Sequence, residues 1–191
     1  MPKYYHPDPL AAREKRYAIV VSRYNATITD RLLEGAIGRL LQGGVADGSI
    51  DVFSVPGAWE IPVTVRHLVF SMRYSAIICL GAVIRGETTH DEHINRSVSL
   101  SLSALSLWSG IPILFGVLTC QNLEQALQRA GGVHGNKGEE CAAAALEMVG
   151  LFPQMPTQLS TLGENLQSAV NSLFGSGQSK PFSKPPVSDS M

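Results

Sequence analysis

A chain of 191 residues with 45% hydrophobic and 16% charged side chains can bury one sizeable core and has the composition of an ordinary globular protein. Its net charge of −1 argues against an extended nucleic-acid surface. No apolar run approaches the roughly 18 residues of a membrane span, and the opening MPKYYHPDPLAAREKRY lacks a signal-type apolar stretch, so a cytoplasmic protein without membrane partners is expected.

Residues 1–15 carry three prolines and mixed charge, and form an arm without a core of its own. Tyr17–Val21 is a first buried strand, ended by Ser22-Arg23-Tyr24-Asn25. Thr27 or Thr29 is expected to cap the helix that follows, in which Leu32, Leu33, Ala36, Ile37, Leu40 and Leu41 share a face. Gly43-Gly44 ends it through a left-handed turn. Ile50–Val55 is the second strand, broken by Pro56-Gly57. A second helix starts at Ala58-Trp59-Glu60, with Ile61, Val65, Leu68, Val69 and Met72 on one side.

The third strand spans Ser75–Leu80 and runs into GAVIRGETTHDEHI, residues 81–94. Thr89 and Glu92 match a capping box, so this stretch is strand, loop and helix start. Ser97–Ser103 alternates serine with Val or Leu like a strand, but its continuation to Ser109 favours a helix. Ile111–Leu118 is the fourth strand. A helix with Leu123, Ala126, Leu127 and Ala130 follows, closed by Gly131-Gly132. The last helix turns Cys141, Ala142, Ala145, Leu146 and Val149 inward. Cys79, Cys120 and Cys141 lack metal-type spacing and are reduced core residues.

Four strands alternating with helices imply right-handed crossovers and a parallel sheet covered on both faces. The fold class is α/β, a three-layer α/β/α sandwich on a four-stranded, flavodoxin-like sheet. The domain occupies residues 16–152. Residues 153–191 are an extension, with a short amphipathic helix through Leu159, Leu162, Leu166, Val170 and Leu173 and a disordered remainder rich in Ser, Pro and Gly.

In such a sheet ligands sit outside the carboxyl ends of the strands. Those ends carry Tyr24-Asn25, then PGAWE at residues 56–60, then the loop bearing Glu87, Thr88 and His90. Phe115 lies within the fourth strand and Arg129 late in the following helix. The inventory suits a flat heterocycle stacked on an aromatic, with a phosphate near a helix start. His90 and His93 lack an evident third ligand, so a metal site is not expected.

The motifs SRYN (22–25), VPGAWEIP (55–62), GAVIRGETTHDEHI (81–94), FGVLT (115–119), EQALQRAG (124–131) and GNKG (135–138) occur in the order and spacing of one family. Over roughly Arg16–Leu151 the chain resembles the lumazine synthases. That resemblance implies condensation of 5-amino-6-(D-ribitylamino)uracil with 3,4-dihydroxy-2-butanone 4-phosphate, without metal or organic cofactor. It implies that Tyr24 stacks on the uracil, and that Ala58, Trp59 and Glu60 bind the ribityl chain and nearby backbone. Main-chain groups of Ala82, Val83 and Ile84 would hold the pyrimidine, and Phe115 would close that pocket from a neighbouring subunit. Glu87, Thr88 and Arg129 would hold the phosphate, with His90 transferring protons. Lys137 and Glu140 match family positions near the site. It also implies a homo-oligomer: a pentamer, a decamer or a 60-subunit shell with sites between subunits. Two rivals are an archaeal-type riboflavin synthase, which Arg129 and the GETTH loop disfavour, and a catalytically weak lumazine- or flavin-binding shell or storage protein.

Overall fold

Four short apolar runs become four parallel strands in a computed structural model that describes residues 1–156. They are β1 (Tyr17–Ser22), β2 (Ile50–Val55), β3 (Ala76–Ile84) and β4 (Ile113–Cys120), in the spatial order β2-β1-β3-β4. Tyr17 of β1 pairs with Ile50 and Ala76, and Ile77 of β3 pairs with Ile113. Every residue of β1 is buried, as a central parallel strand covered on both faces requires. The expected amphipathic segment at Leu159–Leu173 and the stretch after it lie outside the described residues.

Alternation along the strands divides the core in two. Tyr17, Ile19, Ile78 and Leu80 face α2 (Ala26–Gln42) and α6 (Lys137–Leu151), where Ile28, Leu32, Ala142 and Ala145 meet them. Ala18, Val20, Ile77 and Cys79 face α3 (Ile61–Ser71) and α4 (His90–Ser109), against Ile61, Val65, Val98 and Leu102. The sheet is therefore the middle of three layers, as expected. The serine-rich segment is helical throughout α4.

Close approach sets the seam between α2 and α6. A Cβ on Gly138 would fall 1.9 Å from the Leu32 carbonyl oxygen, so a side chain there would drive the helices apart. Asn136 starts α6 by accepting from the N–H groups of Gly138 and Glu139, while its Nδ2 donates to the Arg31 carbonyl at 2.8 Å. The N-terminal arm contains a short helix, α1 (Pro9–Arg13), whose Ala12 joins the core. The Asp8 N–H donates to the Gly150 carbonyl of α6 at 3.0 Å.

Local expectations shift at several boundaries. β3 does not end at Leu80 but continues through Gly81 to Ile84, because β4 keeps pairing with it as far as Ile84↔Cys120. β4 begins two residues later than expected, at Ile113. Ala58–Glu60 is a tight 3-10 turn, and α3 proper starts at Ile61 with Pro62 in its first turn. Thr27 and Thr29 lie inside α2 and cap nothing; its cap position is Asn25. The capping box at Thr89 and Glu92 is absent. Thr89 sits at φ −81°, ψ 14° rather than in the extended conformation of a capping residue, and its side chain makes no cap bond. The helix before Gly131-Gly132 is shorter than expected, α5 (Leu123–Gln128), and is followed by a small antiparallel pair, β5 (Ala130–Gly132) with β6 (Gly135–Asn136).

Candidate active site

The strand order reverses direction between β1 and β3. From β1 the chain leaves through α2 towards β2, and from β3 it leaves through α4 towards β4. Such a switch point opens a crevice at the carboxyl edge. Here the crevice is deepened by a mismatch in length: β1 accompanies β3 only to Val21↔Leu80, leaving Gly81–Ile84 without a β1 neighbour. A cavity of about 430 Å³ occupies this place.

Its walls come from three strand ends. After β1 come Tyr24 and Asn25, after β2 come Gly57, Ala58 and Trp59, and β3 supplies Ala82, Val83 and Ile84. Gly86, Thr88, His90, Asp91 and Ile94 complete the lining from the loop and the first turn of α4. Tyr24 and Trp59 are 72% and 55% exposed, so two aromatic rings stand at the mouth without packing into the core. Backbone bonds hold the turns that carry them: the Arg23 N–H donates to the Val55 carbonyl at 2.8 Å and the Tyr24 N–H to the Pro56 carbonyl at 3.1 Å.

Glu60 does not line the cavity. Its carboxylate accepts from the Gly57 N–H at 2.9 Å, closing the turn that presents Ala58 and Trp59. Glu87 is exposed on the loop beside the cavity. Arg129 is exposed at the C-terminal end of α5, where its charge opposes the upward push that burial gives the Cys120 thiol at the end of β4. Among the described residues, the side chains of Glu87, Thr88, His90 and Arg129 make no ion pair or hydrogen bond, and are free to meet a ligand. Lys137 and Glu140 bind each other at 2.9 Å.

Phe115 is not brought to this cavity. It lines a separate groove of about 260 Å³ with Leu102, Ser103, Ser106, Leu107 and Ile113, between α4 and the open edge of β4. Asn25, Asp91 and Ile94 also line the cavity, beyond the site residues expected from the sequence. Asn25 adopts a left-handed backbone, which Asn tolerates better than most residues. Asp91 and Ile94 carry no local signal beyond their place in the first turns of a helix that starts at the crevice.

Burial raises the thiol pKa values of all three cysteines, that of Cys141 to about 11, so none supplies a thiolate at neutral pH. Among the described residues no group of three or more His, Cys, Asp or Glu side chains is placed to hold a metal ion, and no helix is long and apolar enough to cross a membrane.

The family profile of 6,7-dimethyl-8-ribityllumazine synthase matches residues 14–152. A protein of that name from Desulfotalea psychrophila is 49% identical over 142 residues, covering 74% of this chain and 92% of the relative. One from Xanthomonas oryzae pv. oryzae is 50% identical over 141 residues, with the same two coverages. Another, from Stenotrophomonas maltophilia, is 47% identical over 153 residues, or 80% of this chain and 99% of the relative. With its three-layer fold, its switch-point crevice and these matches, the chain belongs to the 6,7-dimethyl-8-ribityllumazine synthase family.

Proposed function

We propose that the crevice between β1 and β3 is where this chain performs the family's step in riboflavin biosynthesis, the joining of 5-amino-6-(D-ribitylamino)uracil to 3,4-dihydroxy-2-butanone 4-phosphate. The observation that carries the assignment of the site is the meeting, in one cavity, of the Tyr24 ring, the overhanging main chain of β3 and the His90 imidazole.

The uracil ring stacks on Tyr24, and main-chain groups of Ala82, Val83 and Ile84 bind its edge. The ribityl chain runs along Ala58 and Trp59, with Glu60 holding their turn. The phosphate sits at the N–H groups of Glu87 and Thr88, before a helix start, and takes a charge-assisted pair from Arg129.

The substrate amine attacks the ketone and the carbinolamine dehydrates to an imine. Elimination expels phosphate, and the second nitrogen closes the ring with loss of water. Each step moves protons near neutral pH, which imidazole can both take and give, and His90 stands where those protons move. Holding two substrates in one crevice supplies much of the remaining acceleration.

Assembly completes the site. Phe115 lies on a groove apart from the cavity of its own chain and is 38% exposed. Both facts support the reading that its ring closes the pyrimidine pocket of a neighbouring copy in a pentamer, which can pair into a decamer or close into a 60-subunit shell. The three buried, protonated thiols suit a cytoplasmic enzyme.

The test is turnover by the purified protein with both substrates, followed through the absorbance of the lumazine. Product that disappears when the butanone phosphate is omitted is the expected result. A folded oligomer that binds lumazine but makes none would replace synthesis with storage. Product made from lumazine alone would identify a riboflavin synthase.

A further inference from the structure

Beyond Leu80, β3 has lost its neighbour on the β1 side, and the gap is bridged by a side chain. Asn25 Nδ2 donates to the Ala82 carbonyl at 2.9 Å. Asn25 stands at φ 61°, ψ 46°, in the left-handed region that Asn enters more readily than other residues with a side chain. It occupies the cap position of α2, yet its side chain makes no bond to that helix. The helix start therefore does not account for the amide. Its reach across to β3 does, because a carbonyl stripped of its ladder partner is costly to leave unpaired.

The same residue follows Tyr24 directly. The Tyr24 N–H is held by Pro56 beyond β2, and the Asn25 amide is held by Ala82 on β3, so the turn is anchored to both neighbouring strands. The tie sets the gap between the exposed Tyr24 ring and the main chain of Ala82–Ile84. It also orients the Ala82 carbonyl, which keeps a second lone pair for a ligand.

We propose that Asn25 is a positioning residue for the ribitylaminouracil. Its amide fixes the slot between the stacking ring and the β3 main chain, and its left-handed backbone permits the turn that makes the slot. The inference deepens the reading of the crevice as that substrate's site and rests on it.

Three variants separate the amide from the backbone. Asn25→Gly keeps the left-handed turn and removes the tie. Asn25→Asp keeps the shape but faces the Ala82 carbonyl with an acceptor. Asn25→Ala loses both the tie and the backbone tolerance. For the glycine variant the expected result is a KM for ribitylaminouracil raised about five- to tenfold, the loss of one partly buried hydrogen bond. The KM for the butanone phosphate should stay near wild type, and the aspartate variant should be at least as impaired as the glycine one. Wild-type kinetics in Asn25→Gly and Asn25→Asp would overturn the proposal, as would equal losses for both substrates with a fall in melting temperature. Tyr24→Ala is the companion control. An unchanged ribitylaminouracil KM there would sink the site assignment itself, whereas a raised KM there with an unaffected Asn25→Gly would sink only the positioning role.

Discussion

The two ends of the sheet treat polar groups in opposite ways. At the amino ends of the strands, Asp51 accepts from Arg16 at 2.8 Å and from the Tyr74 hydroxyl at 2.7 Å, with Arg73 at 3.8 Å. Arg16 also donates to the Gly48 carbonyl. At the carboxyl ends, His90, Arg129 and Glu87 have no such partners among the described residues, and two aromatic rings stand exposed. Charges that satisfy one another tie elements together, and charges left open are available to bind. The contrast supports the proposal that the carboxyl ends hold the site.

The largest effect expected from breaking this contrast is at His90. Replacing it with alanine should lower kcat by about 10²–10⁴-fold, since binding and proximity survive the loss of one proton-transfer group. The melting temperature should hold, because the side chain is exposed and unpartnered. Steady-state kinetics beside a thermal melt checks both halves. Undiminished turnover would remove His90 from the mechanism.

Arg129→Ala comes next. It should raise the KM for the butanone phosphate by about 10–100-fold, as the loss of charge-assisted bonds to a phosphate implies, and leave the ribitylaminouracil KM nearly alone. A KM for the phosphate substrate equal to wild type would contradict the phosphate role.

The smallest effect is expected at the opposite edge. Asp51→Asn should leave kcat and both KM values unchanged and lower the melting temperature by about 2 °C or less, because the pair is partly exposed and screened. Its pH dependence carries a sign. The hydrogen bond from Arg16, then that from Tyr74, hold the Asp51 carboxyl below its ordinary range. The stability it contributes is therefore present above that range and lost as pH falls through the depressed value. Melts of wild type and Asp51→Asn should differ most near neutral pH and converge in acid. A gap that widens in acid would refute the assignment of that cluster.

Much of the architecture was legible because strands and helices here keep clean periods. Tyr17–Val21 and Ile50–Val55 are uniformly apolar or alternating, and each is closed by turn residues. The misplacements have physical causes. A glycine after an apolar run is a common strand end, yet Gly81 is buried within β3, where a Cβ would stand 3.3 Å from Ser22 Oγ, so it permits packing and does not break the strand. Thr89 and Glu92 have the spacing of a capping box, but the loop delivers Thr89 in a conformation that a capping hydroxyl cannot use. Strand-end topology pointed to Tyr24, Ala58, Trp59, Thr88 and His90, the family resemblance added Ala82, Val83 and Ile84, and all of these line one cavity. Asn25 was harder to see. Its amide acts across a gap that exists only because β3 outruns β1, and strand lengths are what local pattern predicts least well.

The central claim is that the ribitylaminouracil ring lies in the crevice between β1 and β3. The most direct measurement is a crystal structure of the oligomer with a non-reactive ribitylaminouracil analogue. The account predicts the ring stacked on Tyr24 with its edge on the main chain of Ala82–Ile84 and its ribityl chain running past Trp59. An analogue bound only in the groove between α4 and β4, with the crevice empty, would contradict it.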